Sequence, residues 1–418
     1  GQLGDGTLTR RLRPTAVRFD GETPIVKQVS TGFSNTCIVT ENNRVMCWGD
    51  GSQGQIGIGS HSNDASLFDE IRPQEVLLPW SSNATMVTTA KQFACALMDD
   101  GSVKCWGRNN YGQLGSGSTS PSYSGLPLEV KLPIGRFALS IDSFEDHSCA
   151  VLDDGNMYCW GYKKYGNMGT GDLPTSTAAH TSTPVPVHLP GGKRVSLMAV
   201  GDAHSCAVMT DDTLWCWGRN YYGEIGDGAI SSNSQARTIP SQVDVQHYSP
   251  IVALSAGYGS TCSLHDDGAL KCWGRNNDGQ VGDGLSNDQS SPTTIHLEGG
   301  NDATWITLGL YFACASASDG SAQCWGNNDA GRLGDGSTEQ RSSAGRIYMD
   351  LPSTAFILTY IEGEITQNQN YVAGWNYTFS VSPPLPLGFE LDLSTGTISS
   401  TGNSTFGVTR HNISAIAG

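Results

Sequence analysis

Short apolar stretches recur along the chain, and each is followed by a segment of alternating character that contains two cysteines. Ile25–Val29 and Ile251–Ala256 are two of these stretches. Nine residues separate the two cysteines, and the second one begins a Cys-Trp-Gly triplet. In Cys95–Cys105, facing cysteines leave Asp99-Asp100-Gly101 as a three-residue loop, whose last position favours glycine because it requires positive φ. The pattern therefore predicts a β-hairpin with a cross-strand disulfide.

The hairpin occurs six times and uses all twelve cysteines of the chain. The predicted disulfide pairs are Cys37 with Cys47, Cys95 with Cys105, Cys149 with Cys159, Cys206 with Cys216, Cys262 with Cys272, and Cys314 with Cys324. Zinc binding is the competing interpretation, but zinc sites use tighter clusters, and each pair is more than forty residues from the next. Six short-range disulfides predict an oxidising, extracellular or cell-surface location.

Two further features repeat with the hairpin, about every 55 residues. A glycine motif begins at Gly1, Gly54, Gly112, Gly166, Gly223, Gly279 and Gly331. A Pro-x-x-Val or related segment follows each copy, beginning with Pro14–Val17. Together with the hairpin and its apolar stretch, these features give four short strands per unit, which is typical of a propeller blade. We expect the Cys-Trp-Gly tryptophans to lie in the core between blades, with an aromatic binding ring as the alternative.

Two segments, Cys105–Gly115 and Cys272–Gly282, begin with Cys-Trp-Gly-Arg-Asn-Asn and run into the glycine motif. They resemble the regulator-of-chromosome-condensation repeat, and the resemblance covers residues 1–352. It implies an all-β, seven-bladed β-propeller. Because there are seven glycine motifs but six hairpins, we expect one blade to be incomplete or closed by both chain ends. The best known roles of the family, nucleotide exchange on a small GTPase and chromatin binding, do not fit an acidic chain with six paired cysteines.

After residue 352 the cysteines and the repeat stop. The segment Ser382–Ser399 resembles the immunoglobulin-like, or cadherin-like, domains of microbial surface proteins. This resemblance implies that residues 353–418 form a small C-terminal immunoglobulin-like β-sandwich, a stalk domain that ends about one strand short. Four Asn-x-Ser/Thr sequons are candidate glycosylation sites: Asn83, Asn376, Asn403 and Asn412.

Composition narrows the possible partners. Only 15% of the residues are charged and 52 are glycine, which is typical of a turn-rich β protein. The net charge of −16 disfavours nucleic acid as a partner. No run of eighteen apolar residues occurs, so we predict no direct membrane insertion by this segment. No signal peptide is visible at Gly1 although the disulfides require export, so we expect a processed piece of a longer precursor.

The titratable residues do not form a recognisable catalytic or metal-binding pattern. His147 and His204 share one repeat position, but the other copies have no histidine there, so we expect local hydrogen bonds. Paired aspartates in four hairpin loops, such as Asp99 and Asp100, are interpreted as turn residues, with weak calcium binding as the alternative. No nucleophile elbow or zinc-protease motif is present. We therefore predict no catalytic residue, no metal site and no cofactor.

The sequence predicts a secreted or cell-surface, non-catalytic binding or adhesion protein whose propeller face recognises a protein or glycan ligand. The expected recognition loops lie between the glycine motif and the Pro-x-x-Val segment: Ser60–Glu70, Ser116–Gly125, Leu173–Thr183 and Ala229–Ala236. The alternative is a structural subunit of an extracellular filament or sheath that self-associates into a fibre through an open β edge. A glycan-active propeller enzyme is a third hypothesis, which needs convergent carboxylates in the central channel.

Overall fold

Six sheets of four antiparallel strands are arranged as the blades of a β-propeller. The computed structural model describes residues 1–59, 69–79, 83–172, 179–231, 236–246 and 248–347 with their side chains, and beyond them the backbone of six strands. The strands of the blades are, in chain order, Val26–Thr31, Asn35–Thr40, Val45–Gly49 and Glu70–Glu75 (β1–β4); Ala84–Thr89, Phe93–Met98, Val103–Arg108 and Tyr123–Glu129 (β5–β8); Ala138–Phe144, His147–Leu152, Met157–Tyr162 and His180–Pro186 (β9–β12); Val195–Val200, His204–Met209, Leu214–Gly218 and Arg237–Val243 (β13–β16); Ile251–Ala256, Ser260–His265, Leu270–Gly274 and Gln289–Ile295 (β17–β20); and Ala303–Leu308, Phe312–Ala317, Ala322–Gly326 and Arg341–Arg346 (β21–β24). A single turn of 3-10 helix, Pro190–Gly192, connects β12 to β13.

The second and third strands of each blade form the predicted hairpin. The two cysteines of every hairpin are direct cross-strand partners, with Cα atoms 4.0–4.1 Å apart, and all six disulfides are formed. The last loop residue has positive φ in each copy, for example 77° at Gly101, 60° at Asn43 and 62° at Asp212. Asn and Asp tolerate this left-handed conformation better than other residues with a side chain. One turn geometry therefore serves all six hairpins.

The Cys-Trp-Gly tryptophans lie between blades, as predicted. Each indole Nε1 donates a hydrogen bond to a carbonyl of the preceding glycine motif, for example from Trp106 to Gln55 at 2.9 Å and from Trp217 to Asn167 at 2.9 Å. The six tryptophans are buried, and none exposes more than 3% of its surface. A Cβ on Gly115 would lie 2.9 Å from the indole nitrogen of Trp160, so glycine is needed there for close packing. The motif is thus a packing element between neighbouring blades.

The first strand of each blade is innermost, because it contacts the first strand of the next blade around the ring. In several blades, a polar side chain at the position that faces the first cysteine of the hairpin bridges these inner strands. Ser30 Oγ accepts a hydrogen bond from the backbone of Thr89, and Ser255 Oγ accepts one from the backbone of Leu308. These contacts satisfy backbone donors that an innermost edge strand would otherwise leave unpaired.

The prediction of seven blades is wrong, because the described residues contain six complete four-stranded blades. The seventh glycine motif is nevertheless packed like the others: Gly336 N donates to Leu12 O at 2.8 Å, just as Gly117 N donates to Ser182 O in the next blade. Residues 10–17 thus pack on the sixth blade as the outer strand of a further blade would, although the described residues contain no inner strands that pair with them. On the sixth blade, Phe312 is consequently partly exposed, although the equivalent residues of the other blades are buried.

The segment beyond the propeller contains six strands: Ala355–Ile361, Glu364–Thr366, Tyr377–Ser382, Phe389–Leu391, Ile398–Ser400 and His411–Ala417 (β25–β30). Four of them form one sheet in the order β26-β25-β30-β27, and β28 pairs with β29. All pairs are antiparallel. The side chains of this segment lie outside the described residues, so the immunoglobulin-like assignment and the domain boundary at 352–353 stay predictions.

Candidate functional site

One face of the propeller is built by the ends of the first and third strands of every blade. Because neighbouring strands are antiparallel, the turns that follow the first strands and the segments that follow the third strands emerge on the same side. We call this side the loop face. The predicted recognition loop Ser116–Gly125 lies on this side and is fully described, whereas residues 60–68, 173–178 and 232–235 of the other three loops lie outside the described residues.

The turns of the loop face are linked to one another around the ring. The backbone N–H of Lys91 donates to the carbonyl of Glu145 in the next blade at 3.3 Å. Equivalent bonds join Asp202 to Gly257 at 3.2 Å and Tyr258 to Gly309 at 3.3 Å. These three bonds restrain the turns of blades two and three and of blades four to six relative to one another, which favours a preorganised binding surface.

Aromatic and cationic side chains alternate across the first three blades of the loop face. The Lys91 ammonium lies 5.7 Å from the ring centre of Phe33. The Arg108 guanidinium lies 5.3 Å from the ring of Tyr111, which stacks on Tyr162 with centroids 4.4 Å apart. Lys164 lies 4.8 Å from another tyrosine ring, that of Tyr165. Cation–π contacts of this kind fix the orientation of side chains that remain partly exposed.

A denser group occupies blades four to six, and we call it the Arg–Tyr cluster: Arg219, Tyr222, Tyr258, Arg275 and Tyr311. The Arg219 guanidinium carbon is 5.6 Å from the ring centre of Tyr222 and 5.7 Å from that of Tyr258. The Arg275 carbon is 5.3, 5.5 and 4.8 Å from the rings of Tyr222, Tyr258 and Tyr311. The last two rings meet edge to face at 5.0 Å.

Two buried carboxylates anchor one end of the cluster. Arg219 Nε donates to Glu224 at 2.6 Å, and a terminal guanidinium nitrogen lies 2.7 Å from Asp202. Burial raises the pKa of Asp202 to about 6, against the opposing effect of Arg219. Burial opposes the charge of Arg219, but the two carboxylates together raise its pKa above the ordinary value. Burial and the nearby Asp202 raise the pKa of Tyr258 to about 12, so its hydroxyl remains a proton donor.

The two repeat-position histidines are buried and hydrogen-bonded to the next blade. His204 Nε2 lies 2.9 Å from Thr261 Oγ1, and His147 Nε2 lies 3.3 Å from Ser205 Oγ. Burial lowers the pKa of both histidines to about 3, so they are neutral at physiological pH. Within the described part of the chain, no three His, Cys, Asp or Glu side chains are grouped to hold a metal ion.

The paired aspartates lie in the hairpin turns on the side opposite to the loop face. Asp100 accepts a hydrogen bond from the backbone of Ser102 at 2.8 Å, and Asp154 accepts one from Asn156 at 3.0 Å. Hydrogen bonding by Ser102 holds the pKa of Asp100 below its usual range. The second aspartate of these pairs thus stabilises its own turn, whereas the first one accepts hydrogen bonds from the segment before the blade, as Asp153 does from the backbone of Phe137.

The candidate modification site Asn83 is exposed, and its amide donates to Asp99 at 2.9 Å. The other three sequons, at Asn376, Asn403 and Asn412, have side chains outside the described residues. Among the helices that the structure describes, none is long and apolar enough to span a lipid bilayer.

Sequence reasoning missed the Arg–Tyr cluster. A signal was present, because Arg108, Arg219 and Arg275 all follow Cys-Trp-Gly directly. Tyr258 lies four residues and Tyr311 three residues before the first cysteine of its own repeat. Without the propeller geometry, nothing indicated that side chains more than fifty residues apart meet on one face.

Comparison with known proteins agrees with this architecture. The model of the RCC1-like domain family matches residues 1–361. The chain is 30% identical over 350 residues to the ultraviolet-B receptor UVR8 of Arabidopsis thaliana, covering 82% of this chain and 74% of that protein. It is 28% identical over 315 residues to human E3 ubiquitin-protein ligase HERC2, covering 74% of this chain but only 6% of that protein. The crystal structure of Prp20p from Saccharomyces cerevisiae superposes with a TM-score of 0.67 at 22% identity, covering 77% of each chain. The chain belongs to the RCC1-like domain family.

Proposed function

We propose that this chain is an extracellular, non-catalytic binding module whose loop face recognises a partner protein. The observation on which the proposal rests is the Arg–Tyr cluster, in which the three tyrosines and Arg275 are partly exposed and Arg219 is buried beneath them. Tyrosine and arginine are the residues most enriched among the energetic centres of protein interfaces. Their positions are fixed before binding, so little conformational entropy is lost when a partner docks.

The proposed location follows from the disulfides. All twelve cysteines are paired, and no free cysteine occurs among them. A reducing compartment would open such pairs, whereas an oxidising one preserves them. Isolation of the native protein with immediate alkylation and no reductant is the test. We expect twelve unalkylated cysteines, and alkylation of most of them would rule out an extracellular location.

Related propellers support a binding role in general terms. UVR8 is named as a receptor, and Prp20p has reported binding properties to Gsp1p and histones. We do not infer either partner for this chain. The similarity to Prp20p is one of fold alone, and the net charge of −16 disfavours the chromatin role of the family. A glycan ligand, which the sequence also allowed, is an outcome of the test that follows.

The test compares two matched tyrosine substitutions on opposite faces. Tyr311→Ser removes one ring of the cluster, whereas Tyr248→Ser removes a fully exposed ring from the connection between β16 and β17, on the other face. Binding of each variant to arrays of surface proteins and of glycans would be measured. We expect Tyr311→Ser to reduce a protein signal at least tenfold and Tyr248→Ser to leave it unchanged. Equal effects of the two variants would exclude the loop face, and signals on glycans alone would identify a lectin.

The fibre hypothesis is the second candidate, and one observation favours it. The sheet of the sixth blade has partly exposed Phe312 and Ser316, where the other blades have buried residues at the same places. A partly exposed sheet face of this kind can associate with another chain. Sedimentation velocity between low and high protein concentration separates the candidates: a concentration-dependent polymer supports a filament, and a constant monomer supports the binding module.

A further inference from the structure

The repeats offer an internal comparison of arginine environments. Arg108, Arg219 and Arg275 occupy the same place in blades two, four and five, directly after Cys-Trp-Gly. Their backbones are held alike, since each N–H donates to a carbonyl of the turn in its own blade: Gln92 for the first, Ala203 for the second and Gly259 for the third. Differences in their surroundings therefore arise from the neighbouring side chains.

Two of the three arginines have carboxylates built around them. Arg219 lies 2.6 Å from Glu224 and 2.7 Å from Asp202, and both of these carboxylates are buried. Arg108 lies 3.5 Å from Asp146, which belongs to the turn of the following blade. Partly buried cations need such partners, because the protein interior solvates an isolated charge poorly.

Arg275 has uncharged residues in all three of these carboxylate positions. Tyr258 takes the place that Asp202 has in the preceding blade, and Gln280 takes the place of Glu224. In the following blade, Tyr311 takes the turn position that corresponds to Asp146. Alignment of the repeats within this chain thus shows that Arg275 lacks the carboxylates that Arg219 and Arg108 have at these positions.

The remaining contacts of Arg275 do not replace them. The nearest carboxylate is that of Asp278, 3.8 Å away, and its other oxygen accepts a hydrogen bond from Asn327. No described group accepts a hydrogen bond from Arg275 Nε, although this atom is buried. The amide nitrogen of Gln280 is likewise buried without a described partner. Both donors are therefore unsatisfied within the described part of the chain, beside an arginine side chain that is itself 18% exposed.

The tyrosine rings orient Arg275 without neutralising it. Three rings lie within 5.5 Å of its guanidinium carbon, and the side chain is 18% exposed. Ring faces stabilise a cation but accept no strong hydrogen bond from its N–H groups. The planar fork of a guanidinium pairs bidentately with a carboxylate or a phosphate group.

We propose that Arg275 and the tyrosines around it form a binding site for a single carboxylate group of the partner protein, an acidic side chain or a chain end. This inference rests on the proposed function of the loop face and names the chemistry of its ligand. A polyanion is disfavoured because Glu145, Asp146, Asp202 and Glu224 lie on the same face. The ligand is therefore one carboxylate within an otherwise neutral or apolar segment.

The test uses acetate as the probe and the side-chain Nε–H signals of the arginines as the readout. The full chain would be labelled with 15N-arginine, and the Arg275 signal would be assigned from its loss in Arg275→Lys. On titration to about 100 mM, we expect acetate to shift the Arg275 signal saturably, while acetamide, its neutral analogue, does not. The Arg219 signal, whose donors are already engaged, should not move. An Arg275 signal that moves no more than that of Arg219 would overturn the proposal.

A matched pair of substitutions tests whether the missing counterion is the cause. Gln280→Glu gives Arg275 the carboxylate that Arg219 has, and Gln55→Glu makes the same change in the first blade, where Asp50 follows Cys-Trp-Gly. We expect Gln280→Glu to weaken the acetate response at least tenfold and Gln55→Glu to preserve it. An unchanged response in Gln280→Glu would contradict the proposal, and if Gln55→Glu does not fold, the wild-type protein remains the reference.

Further outcomes of these experiments distinguish a failure of the carboxylate site from a failure of the proposed function. Glucuronate that binds tenfold more tightly than acetate would assign the site to acidic sugars and refute the protein carboxylate. If acetate shifts Arg275 but Tyr311→Ser retains full partner binding, the carboxylate site stands and the loop-face function fails. If partner binding requires Tyr311 but acetate has no effect, the loop face binds proteins and the carboxylate site is wrong.

Discussion

Asp142 is a buried acid whose substitution should change how the stability of the propeller depends on pH. It lies on the inner strand β9, where its carboxylate accepts hydrogen bonds from the backbone of Val200 at 2.8 Å and of Ser143 at 2.9 Å. Thr88 Oγ1 donates a longer bond of 3.4 Å. The carboxylate thus joins the inner strands of three successive blades. Burial raises its pKa to about 6, and these hydrogen bonds only partly oppose the rise.

The sign of the effect follows from proton linkage. The unfolded carboxyl titrates near 3.8 and the folded one near 6, so between these values the native state binds more protons than the unfolded state. The contribution of Asp142 to stability is therefore most favourable below pH 3.8 and is lost as the pH rises through 6. The shift corresponds to about 3 kcal/mol, an upper value because the residue retains some contact with the central channel.

The assay is urea unfolding of wild type and Asp142→Asn at a series of pH values between about 4 and about 7.5. The difference in the free energy of unfolding should move in favour of the variant by up to about 3 kcal/mol as the pH rises. The amide cannot accept both backbone hydrogen bonds, so a constant offset of about 1 kcal/mol against the variant is expected. Asp266→Asn, in an exposed hairpin turn, controls for the change in net charge. A difference that stays constant with pH would refute the assigned burial of Asp142.

Three other predictions concern stability. Replacing Cys95 and Cys105 together by alanine should lower the free energy of unfolding, measured by chemical denaturation, by somewhat under about 3 kcal/mol because the closed loop is short. A loss of all cooperative unfolding would show that the blades do not fold around the remaining disulfides. His204→Gln should lose less stability than wild type as the pH falls from 6.5 towards 3. Burial lowers the pKa of His204 to about 3, so in this range the unfolded state binds a proton that the folded state does not. Acid unfolding would be followed by circular dichroism, and identical curves for the two proteins would contradict this prediction. Trp217→Phe should lower the free energy of unfolding, measured by calorimetry, by about 1–3 kcal/mol, because the buried Asn167 carbonyl loses its hydrogen bond. An unchanged free energy would mean that water replaces the indole donor.

The hairpins were predictable from the sequence because their determinants are local. A separation of ten residues between Cys149 and Cys159 defines both the register and the loop length, and the loop residue Gly155 meets the requirement for positive φ. The burial of the tryptophans also followed from the pattern, since a blade is covered on both faces. Each of these conclusions depends on residues within one repeat.

The number of blades depends on contacts between distant parts of the chain, and the prediction failed there. The family resemblance implied seven blades and the seven glycine motifs agreed with it, but a blade also needs three inner strands to form a sheet. The seventh motif packs on residues 10–17, more than 300 positions earlier in the chain. A count of motifs records how often a packing element occurs and does not record how many complete sheets form.

The Arg–Tyr cluster shows a different limit of sequence reasoning. Tyr222, Tyr258 and Tyr311 come from three successive repeats, and no window of sequence places their rings around Arg275. Once the blades are superposed, however, the repeats become a record of which positions face each other. Asp202 and Glu224 then identify the places where an arginine on this ring receives its counterions. The same comparison would detect, in other propellers with this repeat, a cation whose counterions must come from the ligand.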